Sequence, residues 1–324
     1  MSQHFLLSAA ARTLSLASVA RMSDEEAHAK FVAIRWADND GKPYCPKCGC
    51  VRVYAYATRK LWKCTACRYQ FSVTARTIFA DRKRSIRDYL LAIAIFANGA
   101  KGHSALQLSR DLDCQYKTAF VLAHKLREAV ASQVHDPTAP ELAGEVNIDG
   151  MYTGGHQRPA NRKADRVDRR GEPQSGKRQV VVVAREVGGR TLTFVVGKES
   201  EAVPMIRRHV ASGSVIHADE APGWDVLLAS YPMMRVNHSR EFKSEDGACT
   251  NWAESYFSRL RRAQYGVHHR IAGPYLDQYA NEMAWREDNR RVPNGTQWRW
   301  MAGAALSLPK SARWRGYWQR SAAA

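Results

Sequence analysis

The chain has 324 residues, with 49 Lys and Arg against 31 Asp and Glu, a formal net charge of +18 and a pI near 9.8. This charge favours a polyanionic partner, and nucleic acid ranks above a membrane surface because the basic residues are dispersed along the chain. No segment has eighteen uninterrupted apolar residues, and the longest apolar run, 89–97, suits a buried helix. The length predicts two or three domains.

Residues 1–40 predict a helical leader. They contain no acidic residue before Asp24 and carry Arg12 and Arg21, which loosely matches the composition of a transit peptide. Arg12 interrupts any apolar stretch long enough for a secretory signal. We therefore favour the alternative, a short amphipathic helix or a frayed end.

Residues 41–80 contain a C-x2-C-x15-C-x2-C pattern, which predicts a zinc site. The zinc ligands are Cys45, Cys48, Cys64 and Cys67. Four sulfur ligands close a tetrahedral shell, so this zinc is structural and cannot activate water. Apolar and polar residues alternate in segment 51–63, which is typical of a β-hairpin. Segment 69–73 predicts a third strand, and the three strands together indicate a zinc ribbon. A redox dithiol would need a thioredoxin-like βαβ setting, which the sequence lacks.

Residues 81–134 predict a helical DNA-binding module. A first helix begins after Ser85 and ends at Gly99. Two further helices, 104–112 and 117–130, flank a tight turn, and this is typical of a helix-turn-helix whose second helix enters a major groove. An ordinary helical bundle is the alternative. The positive charge and the adjacent ribbon favour DNA binding.

Residues 135–144 hold two prolines without periodicity and predict a linker, followed by a mixed α/β domain over 145–290. The expected elements, in order, are a strand over 144–150 that ends at Asp149, a hairpin of 178–187 and 190–197, a helix over 199–211, a strand ending at Asp219, a helix over 223–231, a strand over 233–239 and a long helix from Cys249. The basic stretch 156–179 predicts either a loop that lies along phosphates or a solvated insertion.

Three carboxylates of this domain, those of Asp149, Asp219 and Glu254, come from strand ends and a helix that a mixed sheet brings close together. Asn251 lies one helical turn before Glu254. Converging carboxylates repel one another unless cations lie between them, and their hard oxygen atoms select Mg²⁺ or Mn²⁺. Two such ions can flank a phosphodiester, so the pattern indicates phosphoryl transfer on nucleic acid.

The motifs together resemble the bacterial insertion-sequence transposases that combine an N-terminal zinc ribbon with an acidic-triad (DDE-type) domain, the ISXO-like group related to Merlin elements. The residues that carry the resemblance are "FVAIRW", the ribbon cysteines, "IDGMYTGG", "HADE", "VNHSREF", "TNWAESYFSRLRR" and "YLDQYANEMAWREDNR". The resemblance implies a multidomain α+β chain with an RNase H-like catalytic domain that uses divalent metal to cleave DNA at terminal inverted repeats and to transfer strands.

The same resemblance implies roles for single residues. Asp149 and Asp219 match the first two magnesium ligands, and Glu254 matches the third, with Asn251 as the competing residue. His238 is expected near the active site, although a buried structural histidine is an equal reading. Arginines stand where relatives have lysines on the helix after the third carboxylate: Arg259, Arg261 and Arg262.

The partners implied are double-stranded DNA, both the terminal inverted repeats and the target, and a second copy of the chain in a homodimer or a higher synaptic oligomer. A bacterial transposase is expected in the cytoplasm, at the nucleoid. The alternatives are a DNA-binding regulator derived from a transposase and a metal-dependent DNA nuclease. The basic, Trp-rich segment 291–324 is expected either to contact DNA or to pack as a helical appendix.

Overall fold

The computed structural model describes residues 5–154, 162–165, 178–236, 249–271 and 273–321. Its α-helices are α1 Leu16–Ala20, α2 Asp24–Arg35, α3 Ile86–Asn98, α4 Ala105–Asp111, α5 Tyr116–Val134, α6 Val203–His209, α7 Asn251–Ala263, α8 Leu276–Asp288, α9 Asn294–Ser307 and α10 Tyr317–Ser321. Its strands are β1 Val53–Tyr56, β2 Leu61–Cys64, β3 Gln70–Phe71, β4 Glu145–Thr153, β5 Gln179–Glu186, β6 Thr191–Val196, β7 Val215–Asp219 and β8 Met233–Val236. None of the helices in these described ranges is both long and apolar enough to cross a membrane.

The chain forms two compact units. The first comprises Met1–Gln133 together with Asn289–Ala324, and the second comprises Val134–Asp288. The change of unit at the end of α5 lies beside the segment 135–144 that the sequence predicts as a linker.

The ribbon of the first unit is a three-stranded antiparallel sheet in the order β1-β2-β3. The predicted hairpin is present, with Val53 opposite Cys64 and Tyr56 opposite Leu61, and the predicted third strand is β3. Aromatic rings fill the space behind the sheet, where Trp36 meets the Trp62 ring edge to face at 5.3 Å between centroids. Burial of these rings and the metal site together replace the larger core that so short a segment lacks.

The helical part of the first unit contains the three predicted helices. The Ser85 hydroxyl caps α3 by accepting a hydrogen bond from the Asp88 amide at 3.1 Å, and the helix ends before Gly99. Helices α4 and α5 occupy the predicted positions, and α5 continues to Val134. Their assignment as a helix-turn-helix remains a prediction.

The C-terminal segment contributes α9 to this same unit. Helix α9 packs on α2 and α3, and the buried Trp298 ring donates its Nε1 hydrogen to the Leu90 carbonyl at 3.1 Å. Of the two alternatives for this segment, the structure shows helical packing for residues 294–307.

The second unit is a five-stranded mixed sheet in the order β6-β5-β4-β7-β8. Strands β4, β5 and β6 pair antiparallel, while β7 and β8 run parallel to β4. Helix α7 packs against β4 and β5, and α8 packs against β6 and α7. The run Val180–Val183 in β5 is buried on both faces, as expected for a central strand of a covered sheet.

Three details differ from the sequence predictions. Strand β4 does not end at Asp149 but continues to Thr153, because β5 pairs with it as far as the Thr153 and Gln179 register. Asp149 therefore lies within a strand. The helix expected after Asp219 is a 3-10 helix, Pro222–Ala229, and the helix predicted over 199–211 is a 3-10 turn, Glu199–Ala202, followed by the short α6.

Candidate functional site

The four ribbon cysteines form a preformed metal centre. Their Sγ atoms lie within 4.8 Å of one another, with Cys45 to Cys67 and Cys48 to Cys64 both at 3.6 Å. Sulfur atoms at the 2.3 Å zinc bond length and tetrahedral angles are about 3.8 Å apart. The distances therefore fit Zn²⁺ closed in by four thiolates.

Local backbone geometry produces this arrangement. The residue after the second cysteine of each turn is left-handed, with φ of 73° at Gly49 and 60° at Arg68. The turns aim amide hydrogens at sulfur: the Lys47 amide donates to Cys45 Sγ at 3.4 Å, and the Cys67 amide donates to Cys64 Sγ at 3.5 Å. These donors favour the thiolate form, which zinc requires.

The first two predicted carboxylates are brought together by the parallel pairing of β4 and β7. Asn147 stands opposite His217 in that ladder. Two residues further along both strands come Asp149 and Asp219, and because side chains alternate along a strand, they reach the same face at the same level. Asp149 Oδ1 accepts a hydrogen bond from the Gly150 amide at 2.7 Å.

Asp219 is held at the end of β7 by the loop that follows. Its Oδ1 accepts hydrogen bonds from the Trp224 indole at 3.0 Å and from the Ala221 amide at 3.2 Å. One face of this carboxylate is thus oriented by the protein, while the residue as a whole is half-buried.

Glu254 lies in the first turn of α7, close enough for its charge to act on Asp149. Burial, and then the negative charges of Asp219, Glu199 and Glu254, raise the pKa of Asp149 from 3.8 to about 7, although the Gly150 amide opposes the change. Asn251 is exposed at the start of the same helix, and no hydrogen bond in the described part of the chain joins its side chain to these carboxylates.

The structure adds a fourth carboxylate, Glu199, which the sequence analysis did not single out. A Cβ atom at Gly150 would lie 2.5 Å from Glu199 Oε1, and one at Gly223 would lie 3.3 Å from Glu199 Cβ. The Glu199 side chain thus occupies space that two glycines leave open. Burial and the charge of Asp219 raise the pKa of Glu199, while Arg178 lowers it. The one sequence signal was a glycine inside a strand, which marks close approach.

The carboxylates do not form as tight a group as the cysteines. Among the described residues, only the cysteines bring three or more ligand atoms of His, Cys, Asp or Glu within 4.8 Å of one another.

Of the other positions predicted from the sequence, some lie in the part of the chain that the structure describes and some lie outside it. His238 and most of the basic stretch 156–179 lie outside the described residues. On α7, Arg259 Nε lies 2.6 Å from the buried Glu287 carboxylate, whereas Arg261 and Arg262 are exposed.

Comparisons with known families give two matches. Residues 141–288 match the ISXO2-like transposase domain, and residues 22–70 match the transposase zinc-ribbon domain. Both domains are those of IS1595 transposases, and together they span more than half of the chain. Neither a search of curated proteins nor a search of solved structures found a match. The first match contains Asp149, Asp219 and Glu254, and the second contains all four zinc ligands.

Proposed function

Because the chain belongs to the IS1595 family of insertion-sequence transposases, we propose that its carboxylate cluster performs metal-dependent DNA cleavage and strand transfer. The observation that carries the proposal is the register of β4 and β7, which sets Asp149 beside Asp219 on the sheet face that α7 covers. The strand order, three antiparallel strands followed by two parallel ones, supports an RNase H-like assignment of this unit.

The donor set fits Mg²⁺ or Mn²⁺. Asp149, Asp219 and Glu254 offer hard oxygen ligands, and Asn251 is the alternative to Glu254 as the third ligand. Two such ions held by these residues would supply activation of the attacking oxygen and stabilisation of the leaving oxygen of a phosphodiester. Burial first, and then the negative charges of Asp219, Glu199 and Glu254, raise the pKa of Asp149, so joint ionisation of the cluster is disfavoured and a bound cation would stabilise it.

The protein supplies orientation and charge. Asp219 keeps one oxygen in hydrogen bonds from the following loop, which limits its rotation toward Asp149. Water and a DNA 3′ hydroxyl can serve in turn as the attacking group at one site, so hydrolysis and strand transfer need no second centre.

DNA recognition is assigned to the first unit. Its ribbon exposes basic side chains, Arg52, Arg59 and Arg68, and the net charge of the chain is +18. We propose that ribbon and helix-turn-helix bind the terminal inverted repeats and that a dimer holds two ends together. In that arrangement the zinc is structural and the carboxylate ions are catalytic.

The test is a cleavage and strand-transfer assay with the full-length protein, Mg²⁺ and DNA taken from the flanks of the coding sequence. Asp149→Asn, Asp219→Asn and Glu254→Gln should each reduce both steps by more than about 100-fold, because outer-shell partners alone cost 10–100-fold. Asp288→Asn is the matched control, since Asp288 also has a pKa raised by burial, to about 6, but bonds Thr191 away from the cluster.

Each other result has a defined meaning. If all three variants remain active, the triad is wrong. If Glu254→Gln is active and Asn251→Ala is not, Asn251 is the third ligand. Cleavage without joining would make the protein a nuclease, and DNA binding without any metal-dependent cleavage would make it a regulator.

A further inference from the structure

A row of three buried polar side chains crosses the centre of the five-stranded sheet. Asn147 on β4 stands opposite Arg185 on β5 and opposite His217 on β7, so the three lie side by side. Their exposed fractions are 1%, 2% and 4%. Polar groups at this depth cost free energy unless hydrogen bonds replace water, so their partners explain their presence.

All three side chains bond the backbone where α7 begins. The Trp252 amide donates to Asn147 Oδ1 at 3.2 Å, and Arg185 Nη1 donates to the Trp252 carbonyl at 2.8 Å. The Cys249 amide donates to His217 Nδ1 at 3.4 Å. The Arg185 guanidinium also lies 4.8 Å from the centroid of the Trp252 ring. The sheet thus binds both the amide N–H and the carbonyl oxygen of one residue, Trp252, in the first helical turn.

These bonds take the place of an ordinary helix cap. Thr250 is the N-cap residue of α7, and its side chain makes no capping hydrogen bond. Helices begin with amides that lack intrahelical partners, and a local side chain usually accepts from one of them. In α7 the acceptor comes from β4, which is more than a hundred residues away in sequence. Hydrogen bonds therefore hold the start of α7 at one position along the strands of the sheet.

The attached turn also carries the third carboxylate. Glu254 follows Trp252 by two residues, while Asp149 and Asp219 follow Asn147 and His217 by two residues on the same sheet face. The row of polar side chains and the carboxylates thus occupy successive positions along the same face of the sheet. We propose that Asn147, Arg185 and His217 are positioning residues, which set where α7 begins on the sheet and thereby hold Glu254 at its distance from Asp149 and Asp219.

The hydrogen bonds by themselves show that the sheet binds the start of α7. The effect of this binding on metal affinity rests on the proposed function. Two readouts separate them. Hydrogen–deuterium exchange of the full-length protein reports the Trp252 amide directly. Titration with Mn²⁺, followed by the electron paramagnetic resonance signal of the free ion, reports the carboxylates without requiring turnover.

Asn147→Leu keeps the number and branching of the side-chain heavy atoms but removes the acceptor. We expect the Trp252 amide to exchange about tenfold faster and Mn²⁺ affinity to fall about tenfold, the size typical of lost outer-shell support. Asn147→Asp retains an acceptor and should restore slow exchange. If Asn147→Leu does not fold, His217→Leu provides the same test at the Cys249 amide.

Asn281→Leu is the matched control. Asn281 is a buried asparagine of the same unit on α8, and its Oδ1 accepts from His135 Nε2 at 2.8 Å and from Thr193 Oγ1 at 2.9 Å. Its loss should lower the melting temperature without changing Trp252 exchange or Mn²⁺ affinity. The proposal is overturned if Asn147→Leu behaves like this control, or if it speeds exchange and leaves Mn²⁺ affinity unchanged.

The failure of the proposed function would look different. If Asp149→Asn and Glu254→Gln leave Mn²⁺ binding unchanged, the carboxylates are not a metal site. The exchange of the Trp252 amide then still decides whether Asn147 anchors α7.

Discussion

The four-cysteine site and the proposed carboxylate site of this protein are assembled in opposite ways. All four zinc ligands lie within residues 45–67, on two tight turns joined by a hairpin, and their sulfur atoms already have tetrahedral spacing. The three carboxylates extend from residue 149 to residue 254 and come from two strands and a helix. Local turns bring the four cysteines together, whereas the paired strands of a sheet and the helix that covers it bring the three carboxylates together.

The pKa values of Cys67 in the ribbon and of Asp149 in the cluster are shifted in opposite directions, whereas the pKa of Cys48, like that of Asp149, is raised. The amide of Tyr69 lowers the pKa of Cys67 from 9.0 to about 7, whereas burial raises the pKa of Asp149 from 3.8 to about 7. Backbone donors around the sulfurs favour the charged ligand, and the apolar sheet and neighbouring acids penalise it at Asp149. Backbone amides thus favour the thiolate at Cys67, while burial and neighbouring acids disfavour the ionised form of Asp149.

The largest effect is expected from Cys64→Ser. Structural zinc contributes on the order of 10–16 kcal/mol to small domains, so loss of one ligand should release the metal and unfold the ribbon. The measurement is bound zinc per chain, together with end-DNA binding and the melting of the second unit, which should persist. Cys50→Ser is the control, because Cys50 Sγ lies outside the four-sulfur group, near Thr65 Oγ1 at 3.7 Å. Equal zinc loss in both variants would refute the ligand assignment.

A smaller effect is expected from pH at the carboxylate cluster. A proton and a metal ion compete for Asp149, whose pKa is about 7, so it is mostly protonated at pH 6 and mostly ionised at pH 8. Mn²⁺ affinity should therefore rise about tenfold between these pH values. Titration of the full-length protein at a series of pH values measures this.

The control for that experiment is Asp288→Asn. Asp288 has a pKa of about 6 but bonds Thr191, so its removal should leave the tenfold rise in place. Disappearance of the pH dependence in this variant would assign the titration to Asp288 and contradict the role of Asp149.

The smallest effect is expected from Glu199→Gln. Glu199 is a lesser cause of the raised pKa of Asp149, after burial and Asp219. Neutralising it should move the midpoint of the pH dependence downward by less than about one pH unit. Because the amide keeps the shape that Gly150 and Gly223 accommodate, folding should be preserved. A midpoint that rises instead would show that Glu199 stabilises the ionised form of Asp149.

Sequence reasoning performed best where a pattern is local. The cysteine spacing and the alternating segment 51–63 predicted the ribbon, and Ser85 and Gly99 marked both ends of α3. Sequence reasoning was less successful where the end of a strand depends on the neighbouring strand that pairs with it. Strand β4 was predicted to end at Asp149, and its continuation depends on β5, which no pattern within 144–153 reveals. Glu199 was missed because its neighbours, Gly150 and Gly223, are distant in sequence.

By itself, the sequence determined the zinc ligands and the hairpin that joins them, because short loops and alternating side chains confine those atoms within one local segment. It also determined which strands and helix carry Asp149, Asp219 and Glu254. Only the tertiary structure decided that the two aspartates share one level of the sheet, since strand register is a property of the paired strands. The same holds for Glu254, whose helix begins where Asn147 and Arg185 bond Trp252 in its first turn and His217 bonds the Cys249 amide just before it.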